Sequence, residues 1–202
     1  MCKISRATFL QISLPIDTCP SLQSDVNLTL ESSMGNSYSW EKTENGYSFS
    51  GCRDGWKKFE RIDGITVCMQ AFNSPKLERA TAQTWCNRKN ATIIGMASVE
   101  ESQWAHGYLI SNNTWYAYWV DGTLTCKLDT CDYSTLMYTD GFTSGSAALN
   151  TTTNFYVNPA GPNNKLMYLA VTTLHENKPK TMYNPGGKNP ADGVVCGYQL
   201  KN

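Results

Sequence analysis

Eight cysteines in 202 residues are the feature that most constrains how this chain can fold. They are widely and irregularly spaced, at Cys2, Cys19, Cys52, Cys68, Cys86, Cys126, Cys131 and Cys196. An even number with such gaps is typical of a disulfide framework formed in an oxidising compartment. The alternative is a cytosolic chain with scattered buried thiols. A zinc site is disfavoured because there is no C-x-x-C pair, and the two histidines, His106 and His175, lie far apart.

Charge and hydrophobicity exclude several classes of protein. Lysine plus arginine and aspartate plus glutamate number 17 each, so the net charge carries no signature of binding to nucleic acid or to an anionic membrane surface. The longest apolar stretch, Leu166–Val171, has the length of a strand, so no transmembrane span is expected. The hydrophobic fraction of 41% is enough for a core, which argues against disorder over most of the length.

The first fifty residues differ in composition from the rest. Lys3 and Arg6, followed by residues 7–16, resemble a degraded signal region, although polar residues and a proline interrupt the apolar run and no cleavage motif follows. A truncated chain start or a simple tail would explain the same pattern. Ser21–Ser50 is rich in serine, asparagine, glutamate and glycine, as linkers are. We therefore predict an N-terminal extension or linker over residues 1–50 and a domain over residues 51–202.

Helix signals come first in this domain. Ser74-Pro75 is typical of a helix start, and Ala82, Trp85 and Cys86 would then share one face. Ser98 and Glu101 have the spacing of a capping box at the start of a second helix. The apolar stripe of that helix comprises Trp104, Ala105, Tyr108 and Leu109.

Strand signals follow. Residues 115–120 precede a turn at Asp121-Gly122, and residues 136–138 precede another at Asp140-Gly141. Leu166–Thr172 and Gly193–Leu200 are expected to be strands as well. The polar stretch from Thr143 to Asn164 is long enough to indicate a functional loop. Helices followed by strands predict an α+β domain.

Several short motifs occur in a fixed order along the domain. They are Cys52–Phe59, Gly64–Met69 with Phe72, Trp85-Cys86, Ala91–Gly95 with Glu101, Trp115 with its strand, Cys126 with Cys131, Tyr138–Gly141, Gly161–Asn163 and Val195–Tyr198. In this order they resemble a C-type lectin-like domain, in particular the divergent C-type lectin-like family of nematodes. The resemblance implies a C-type lectin-like fold, with two helices packed on short antiparallel sheets and a long irregular loop. It also implies a secreted recognition protein and suggests a role in innate immunity.

Disulfide pairs are carried over from the same resemblance. It implies that Cys52 is bonded to Cys68, Cys86 to Cys196 and Cys126 to Cys131. Cys2 and Cys19 are left over. They could pair with each other, link two chains into an oligomer, or belong to a segment that is removed. The family's usual further bridge to the long loop is missing because no cysteine lies between Cys131 and Cys196.

This sequence differs from the sugar-binding members of the family in the residues that would bind calcium. Those members use a carboxylate–proline–amide triplet and a Trp-Asn-Asp segment. Here the matching triplet is Gly161-Pro162-Asn163, and no Trp-Asn-Asp occurs. No aspartate or glutamate lies between Gly141 and His175. Because carboxylates usually supply the charge of a calcium site, we expect no Ca²⁺ and no other cofactor.

The candidate ligand-binding residues lie in the long loop: Tyr156, Asn158, Gly161, Pro162, Asn163 and Asn164. Amides and hydroxyls suit sugar hydroxyls, and an aromatic ring could stack on a pyranose face. The alternative is that Phe155 and Tyr156 belong to the core and the amides only form turns. The expected ligand is a glycan bound weakly or without calcium. A protein-binding or structural module without sugar binding would have an extracellular protein as its partner instead.

Modification and catalysis leave weaker signals. Four N-x-S/T sequons, at Asn27, Asn90, Asn112 and Asn150, are candidate glycosylation sites, close to the number that chance predicts.

His175-Glu176 begins like a metalloprotease helix, but Pro179 stands where the second histidine belongs. His106 falls on the second helix, where a surface or interhelix position is expected rather than a catalytic base. We therefore predict a binding protein and not an enzyme.

Overall fold

The computed structural model describes residues 29–31, 37–43, 46–49, 51–110, 117–128, 130–149, 156–157, 163, 165–172, 179–183 and 190–200. The chain divides into two compact units, Met1–Lys58 and Phe59–Asn202. The first contains an antiparallel sheet of β1 (Thr29–Glu31), β2 (Ser37–Thr43) and β3 (Gly46–Phe49), in that order. These strands lie where the sequence predicts an extension or linker. A domain boundary at residue 51 stays a prediction.

The remaining described elements form one mixed sheet with two helices. They are β4 (Lys57–Glu60), β5 (Thr66–Leu77), α1 (Arg79–Arg88), β6 (Thr92–Ile93), α2 (Val99–Ile110), β7 (Ala117–Lys127), β8 (Thr130–Met137), β9 (Tyr156–Val157), β10 (Lys165–Thr172), β11 (Pro179–Tyr183) and β12 (Ala191–Leu200). The strand order is β4-β5-β12-β7-β10-β11-β9, with β6 added to β12 and β8 to β7. The predicted α+β class is confirmed. No helix of the described part is long and apolar enough to cross a membrane.

The core is built from one face of the long strands. Met167, Leu169 and Val171 of β10 alternate into the main apolar cluster, and Val67, Met69 and Ala71 of β5 do the same. Successive side chains of a strand point to opposite faces, so a period of two buries one face of each strand. Ala105 of α2 belongs to the same apolar cluster.

Two disulfides join elements of this unit. Cys86 of α1 is bonded to Cys196 of β12, with the Cα atoms 5.4 Å apart. Cys126 and Cys131 are bonded across the β7–β8 pair. Both are pairs that the resemblance implies. Cys52 and Cys68 are each disulfide-bonded, and their pairing with one another stays a prediction. Cys2 and Cys19 lie outside the described residues.

The predicted start of the first helix was wrong. Ser74-Pro75 lies in β5, and α1 begins at Arg79 with Glu78 as its N-cap residue. The pairing of β5 with β12 is irregular between Asn73 and Leu77. Proline is tolerated at such a bulge because no ladder hydrogen bond has to be donated there. The face predicted for this helix is partly buried, with Ala82 and Cys86 in the core.

The predicted turn at Asp121-Gly122 was also wrong. Both residues lie inside β7, which continues to Lys127. Gly122 has a φ of 126°, which a residue with a side chain rarely adopts. Asp121 is fully buried, with 0% exposure. An Asp-Gly pair is a common turn signal, but here the Asp121 carboxylate accepts hydrogen bonds inside the protein and the strand continues through both residues.

The second helix begins where the capping box predicts. The backbone N–H of Glu101 donates to Ser98 Oγ at 3.2 Å. Its apolar stripe was only partly right, because Tyr108 is 42% exposed while Glu101 and Ser102 are buried. His106 is 3% exposed, so of the two positions expected for it the surface one is excluded, and the interhelix one stays a prediction. The helix therefore turns polar side chains toward the protein, where they need partners.

Candidate functional site

The long loop is where the sequence places the ligand, and the structure describes it in part. Tyr156 begins β9, which pairs in parallel with β11. Asn163 is exposed. The other candidates, Asn158, Gly161, Pro162 and Asn164, lie outside the described residues. Their joint role in a ligand site stays a prediction. The segment that leads into the loop, Tyr138–Thr143, is described completely, and we call it the loop root. The described residues also include the side chains that hold this segment in place.

Arg61 is the arginine that binds the loop root to α2. It follows β4 directly and is 8% exposed. Its Nε and Nη2 donate to the two carboxylate oxygens of Glu101 at 2.8 and 3.0 Å. Its Nη1 donates to Thr143 Oγ1 at 2.9 Å and to the Phe142 carbonyl at 3.2 Å. One guanidinium thus joins α2 to the first residues of the loop, since its planar fork offers several donors in fixed directions.

Asp140 fixes the backbone of the same segment. Its Oδ1 accepts the N–H groups of Phe142 at 3.0 Å and of Thr143 at 2.8 Å. Its Oδ2 accepts the Gly95 N–H at 2.8 Å and the Thr143 hydroxyl at 2.5 Å. An aspartate that accepts from its own downstream backbone is the usual stabiliser of such turns. The predicted turn at Asp140-Gly141 is confirmed, and Gly141 has a φ of 83°.

Asp121 connects the loop root to the start of α1. Its Oδ1 accepts from Arg79 Nη2 at 2.6 Å and from the Thr139 hydroxyl at 2.8 Å. Its Oδ2 accepts the backbone N–H of Thr139 and, at 2.9 Å, that of Asp140. The Arg79 guanidinium also lies over the Tyr168 ring, 4.9 Å from its centre. A buried carboxylate is tolerated here because a cation and several N–H and O–H donors surround it.

Tyr138 packs in the middle of these groups. A Cβ atom added to Gly95 would lie 2.5 Å from the Tyr138 ring, so the ring approaches a position that only glycine can occupy. The buried Tyr138 hydroxyl has no hydrogen-bond partner among the described residues. Burial, and then the negative charges of Asp140 and Asp121, raise the pKa of Tyr138. The phenol is therefore neutral at physiological pH.

Each carboxylate oxygen of Asp140 and of the two acids beside the loop root, Glu101 and Asp121, accepts a hydrogen bond from the protein. Glu101 Oε2 accepts from Ala97 N–H as well as from Arg61, and both oxygens of Asp121 and of Asp140 accept at least one bond. A cation at these oxygens would compete with these donors. In the described part of the chain no group of three or more His, Cys, Asp and Glu residues could hold a metal ion. The expectation of no calcium stays a prediction.

An exposed apolar strip lies beside the end of the loop. β10 resumes at Lys165, opposite Cys126 of β7, and the neighbouring Leu166 is 52% exposed. Met137 of β8 is 63% exposed. Leu166 pairs with Thr125 and Met137 with Thr123, so both point to the outer face of the sheet. Sequence reasoning missed this strip, because the register that aligns three strands is not visible in any one of them.

Known proteins resemble the chain in fold. No protein-family model and no curated protein sequence matches it. Similar solved structures include the SPL-1–GlcNAc complex, at 16% identity and a TM-score of 0.49, covering 73% of this chain and 94% of that one. The calcium-independent C-type lectin SPL-2 from Saxidomus purpuratus has 14% identity and a TM-score of 0.48, covering 72% and 91%.

A mouse scavenger receptor C-type lectin carbohydrate-recognition domain has 16% identity and a TM-score of 0.45, covering 74% of this chain and 99% of that one. These likenesses concern the fold and carry nothing about the ligand. The described residues contain two helices, a mostly antiparallel sheet, and disulfides from α1 to β12 and across the β7–β8 pair. The sequence resemblance implies these same features. In these features the described part of the chain agrees with the C-type lectin-like fold that its sequence predicts.

Proposed function

We propose that this chain is an extracellular, non-catalytic recognition domain that binds carbohydrate through its long loop without calcium. The observation that carries the proposal is that the carboxylates of Glu101, Asp121 and Asp140 are hydrogen-bonded within the protein. Glu101 and Asp121 are buried, Asp140 is half-buried, and all three accept hydrogen bonds from protein donors in or beside the loop root. The loop itself contributes no acidic residue. Neutral amides and hydroxyls therefore remain as its polar contact groups, and these suit sugar hydroxyls.

The disulfides support an extracellular location. Cys86–Cys196 and Cys126–Cys131 are formed, and Cys52 and Cys68 are also disulfide-bonded. Disulfides persist in oxidising compartments and are rare in the cytosol. Secretion of the chain, and any role in immunity, belong to the proposal.

A protein ligand is the second candidate, and the exposed apolar strip favours it. Met137 of β8 and Leu166 of β10 are each more than half exposed on the outer face of the sheet, on either side of β7. Apolar side chains grouped on a surface are typical of protein contacts, whereas scattered ones are not. In this alternative the sheet face beside the loop, and not the amides of the loop, makes the contact.

A glycan array read with calcium and with chelator tests the proposal. We expect binding that survives the chelator and is reduced in Asn163→Ala, because Asn163 is exposed in the loop. Asn73→Ala, at an exposed position of β5, is the matched control and should leave binding unchanged. Loss of binding with chelator would contradict calcium independence. Silence of the folded protein over a broad array would reject carbohydrate and leave the protein ligand, for which Met137→Ser and Leu166→Ser are the diagnostic variants.

A further inference from the structure

A shallow surface depression lies where α1 leads into β6, beside β12. It has a volume of about 340 Å³, near the lower end of the roughly 300–1,000 Å³ typical of ligand pockets. Its lining consists of Asn90, Ala91, Thr92, Phe142, Gly197, Tyr198 and Gln199. Asn90, Ala91 and Thr92 are the three positions of one N-x-T sequon. An entire glycosylation sequon therefore lines a depression that also contains two aromatic residues.

The backbone presents Asn90 at the rim of this depression. Asn90 is exposed and has a φ of 50°, and its N–H donates to the Asn87 carbonyl at 3.0 Å. Asparagine is common in this left-handed conformation after a helix, which alone would account for the residue type. The sequon by itself is thus a weak signal. The second observation, the aromatic depression that the sequon lines, is what points to a sugar.

We propose that Asn90 carries an N-linked glycan whose first N-acetylglucosamine lies in the depression against Phe142 and Tyr198. In the modification, the amide nitrogen of Asn90 gives up a proton to a base of the modifying enzyme and bonds to the anomeric carbon of a lipid-linked oligosaccharide. The bond from that carbon to the donor's diphosphate breaks, and the lipid diphosphate leaves. The attached sugar then covers apolar lining atoms, and the Gln199 amide offers it a hydrogen-bonding group. The proposal rests on the extracellular location in the proposed function.

Such a glycan would couple to the loop root. Phe142 lies between Asp140 and Thr143, and its carbonyl accepts from Arg61 at 3.2 Å. A sugar that packs on Phe142 therefore restrains a residue of the loop root from the outside, while Arg61 restrains it from the inside. Glycosylation at Asn90 should for this reason raise the stability of the whole domain and not only shield its surface.

Glycopeptide mapping of the full chain, produced in eukaryotic cells behind a secretion leader, tests the attachment. We expect a glycan on Asn90, its loss in Asn90→Gln, and its retention in Thr92→Ser, which preserves the sequon. An unmodified Asn90 in the exported protein overturns the proposal. The leader brings the chain to the modifying enzyme whatever its natural location, and the readout needs no ligand. Failure here is therefore distinct from failure on the glycan array.

Thermal melting tests the docking of the first sugar. Protein trimmed to a single N-acetylglucosamine should keep the Tm of the intact glycoprotein, and Asn90→Gln should melt several degrees lower. Phe142→Ala should remove most of the Tm difference between the forms with and without the sugar. An equal Tm for trimmed protein and Asn90→Gln would overturn docking even if Asn90 is modified.

Discussion

Arg61 and Glu101 form a bidentate ion pair, with Nε–Oε1 at 2.8 Å and Nη2–Oε2 at 3.0 Å, although the two residues are 40 positions apart in sequence. Their side chains are 3% and 1% exposed. The pair fastens the end of β4 to the first turn of α2. A buried pair of this kind adds little compared with apolar residues, but it is costly to break from one side.

Replacing one member of the pair should therefore destabilise the domain. We expect Arg61→Met to lower the free energy of unfolding by roughly 3–5 kcal/mol, because the Glu101 carboxylate remains buried without its cation. Urea denaturation measures the change. Arg88→Met, at an exposed position near the end of α1, is the control and should stay within about 0.5 kcal/mol. A loss below about 1 kcal/mol for Arg61→Met would mean that the pair is not buried as described.

Two glycine-to-alanine changes should have opposite effects. At Gly95 the new Cβ would lie 2.5 Å from the Tyr138 ring and 2.8 Å from Thr143 Cγ2, so the loop root has to shift and Tm falls. At Gly107, inside α2, nothing lies within 4 Å of the new Cβ. Alanine there should stabilise by up to about 1 kcal/mol through helix propensity. Equal effects in thermal melts would refute the close packing at Gly95.

Alkaline pH should destabilise the protein through Tyr138. Its pKa is raised in the folded state from an ordinary value of 10.0. Above that pH the unfolded chain releases the proton while the folded chain keeps it, so the free energy of unfolding falls, by at most about 1.4 kcal/mol per pH unit. Below pH 10.0 the contribution is fully present.

The variant Tyr138→Phe isolates this effect. Its stability should decline less between neutral pH and the alkaline range, and at neutral pH it should equal or exceed the wild type, because the lost hydroxyl has no partner among the described residues. Tyr108→Phe, at a 42% exposed position, is the matched control. Parallel pH–stability curves for Tyr138→Phe and the wild type would contradict the assignment.

The two described disulfides should differ in what they contribute. Cys86 and Cys196 are separated by 110 residues and Cys126 and Cys131 by 5. In the chain-entropy model, loops of these lengths stabilise by about 4–5 and about 2 kcal/mol respectively. Double alanine variants of each pair, compared by denaturant titration, should follow that order. The opposite order would show that native-state contacts outweigh loop length.

Calcium should not stabilise the fold. The loop has no acidic residue, and the carboxylates of its root accept hydrogen bonds from the protein. A ligand that binds the native state raises Tm, so millimolar Ca²⁺ should leave the melting curve unchanged and a chelator should have no effect. A rise of several degrees that the chelator reverses would be inconsistent with the occupied carboxylates.

Local patterns were sufficient for much of the fold. Ser98 and Glu101 located the start of α2, and β10 and β12 lie where alternating or continuous apolar runs predicted strands. They failed where a distant partner decides the conformation. Asp121-Gly122 was predicted as a turn because its partners, Arg79 and Thr139, are 42 and 18 residues away.

The candidate site was less predictable than the fold. Composition drew attention to the loop amides, but nothing local indicated that Arg61 or Asp121 would hold the loop root. A lone arginine after a strand is ordinarily a solvated surface residue, and only the positions of Glu101 and Thr143 make it a buried one. A signal for such residues would be covariation between positions that are far apart in sequence.

Among the described residues, Asp140 draws Gly95, Phe142 and Thr143 together. The stretch between β9 and β10 can therefore change in length and chemistry at little thermodynamic cost, since loop closure depends only weakly on the number of residues. A scaffold of this kind lends itself to segment exchange. Randomising positions 158–164, after β9, while retaining Asp140 should yield libraries that fold alike and bind differently.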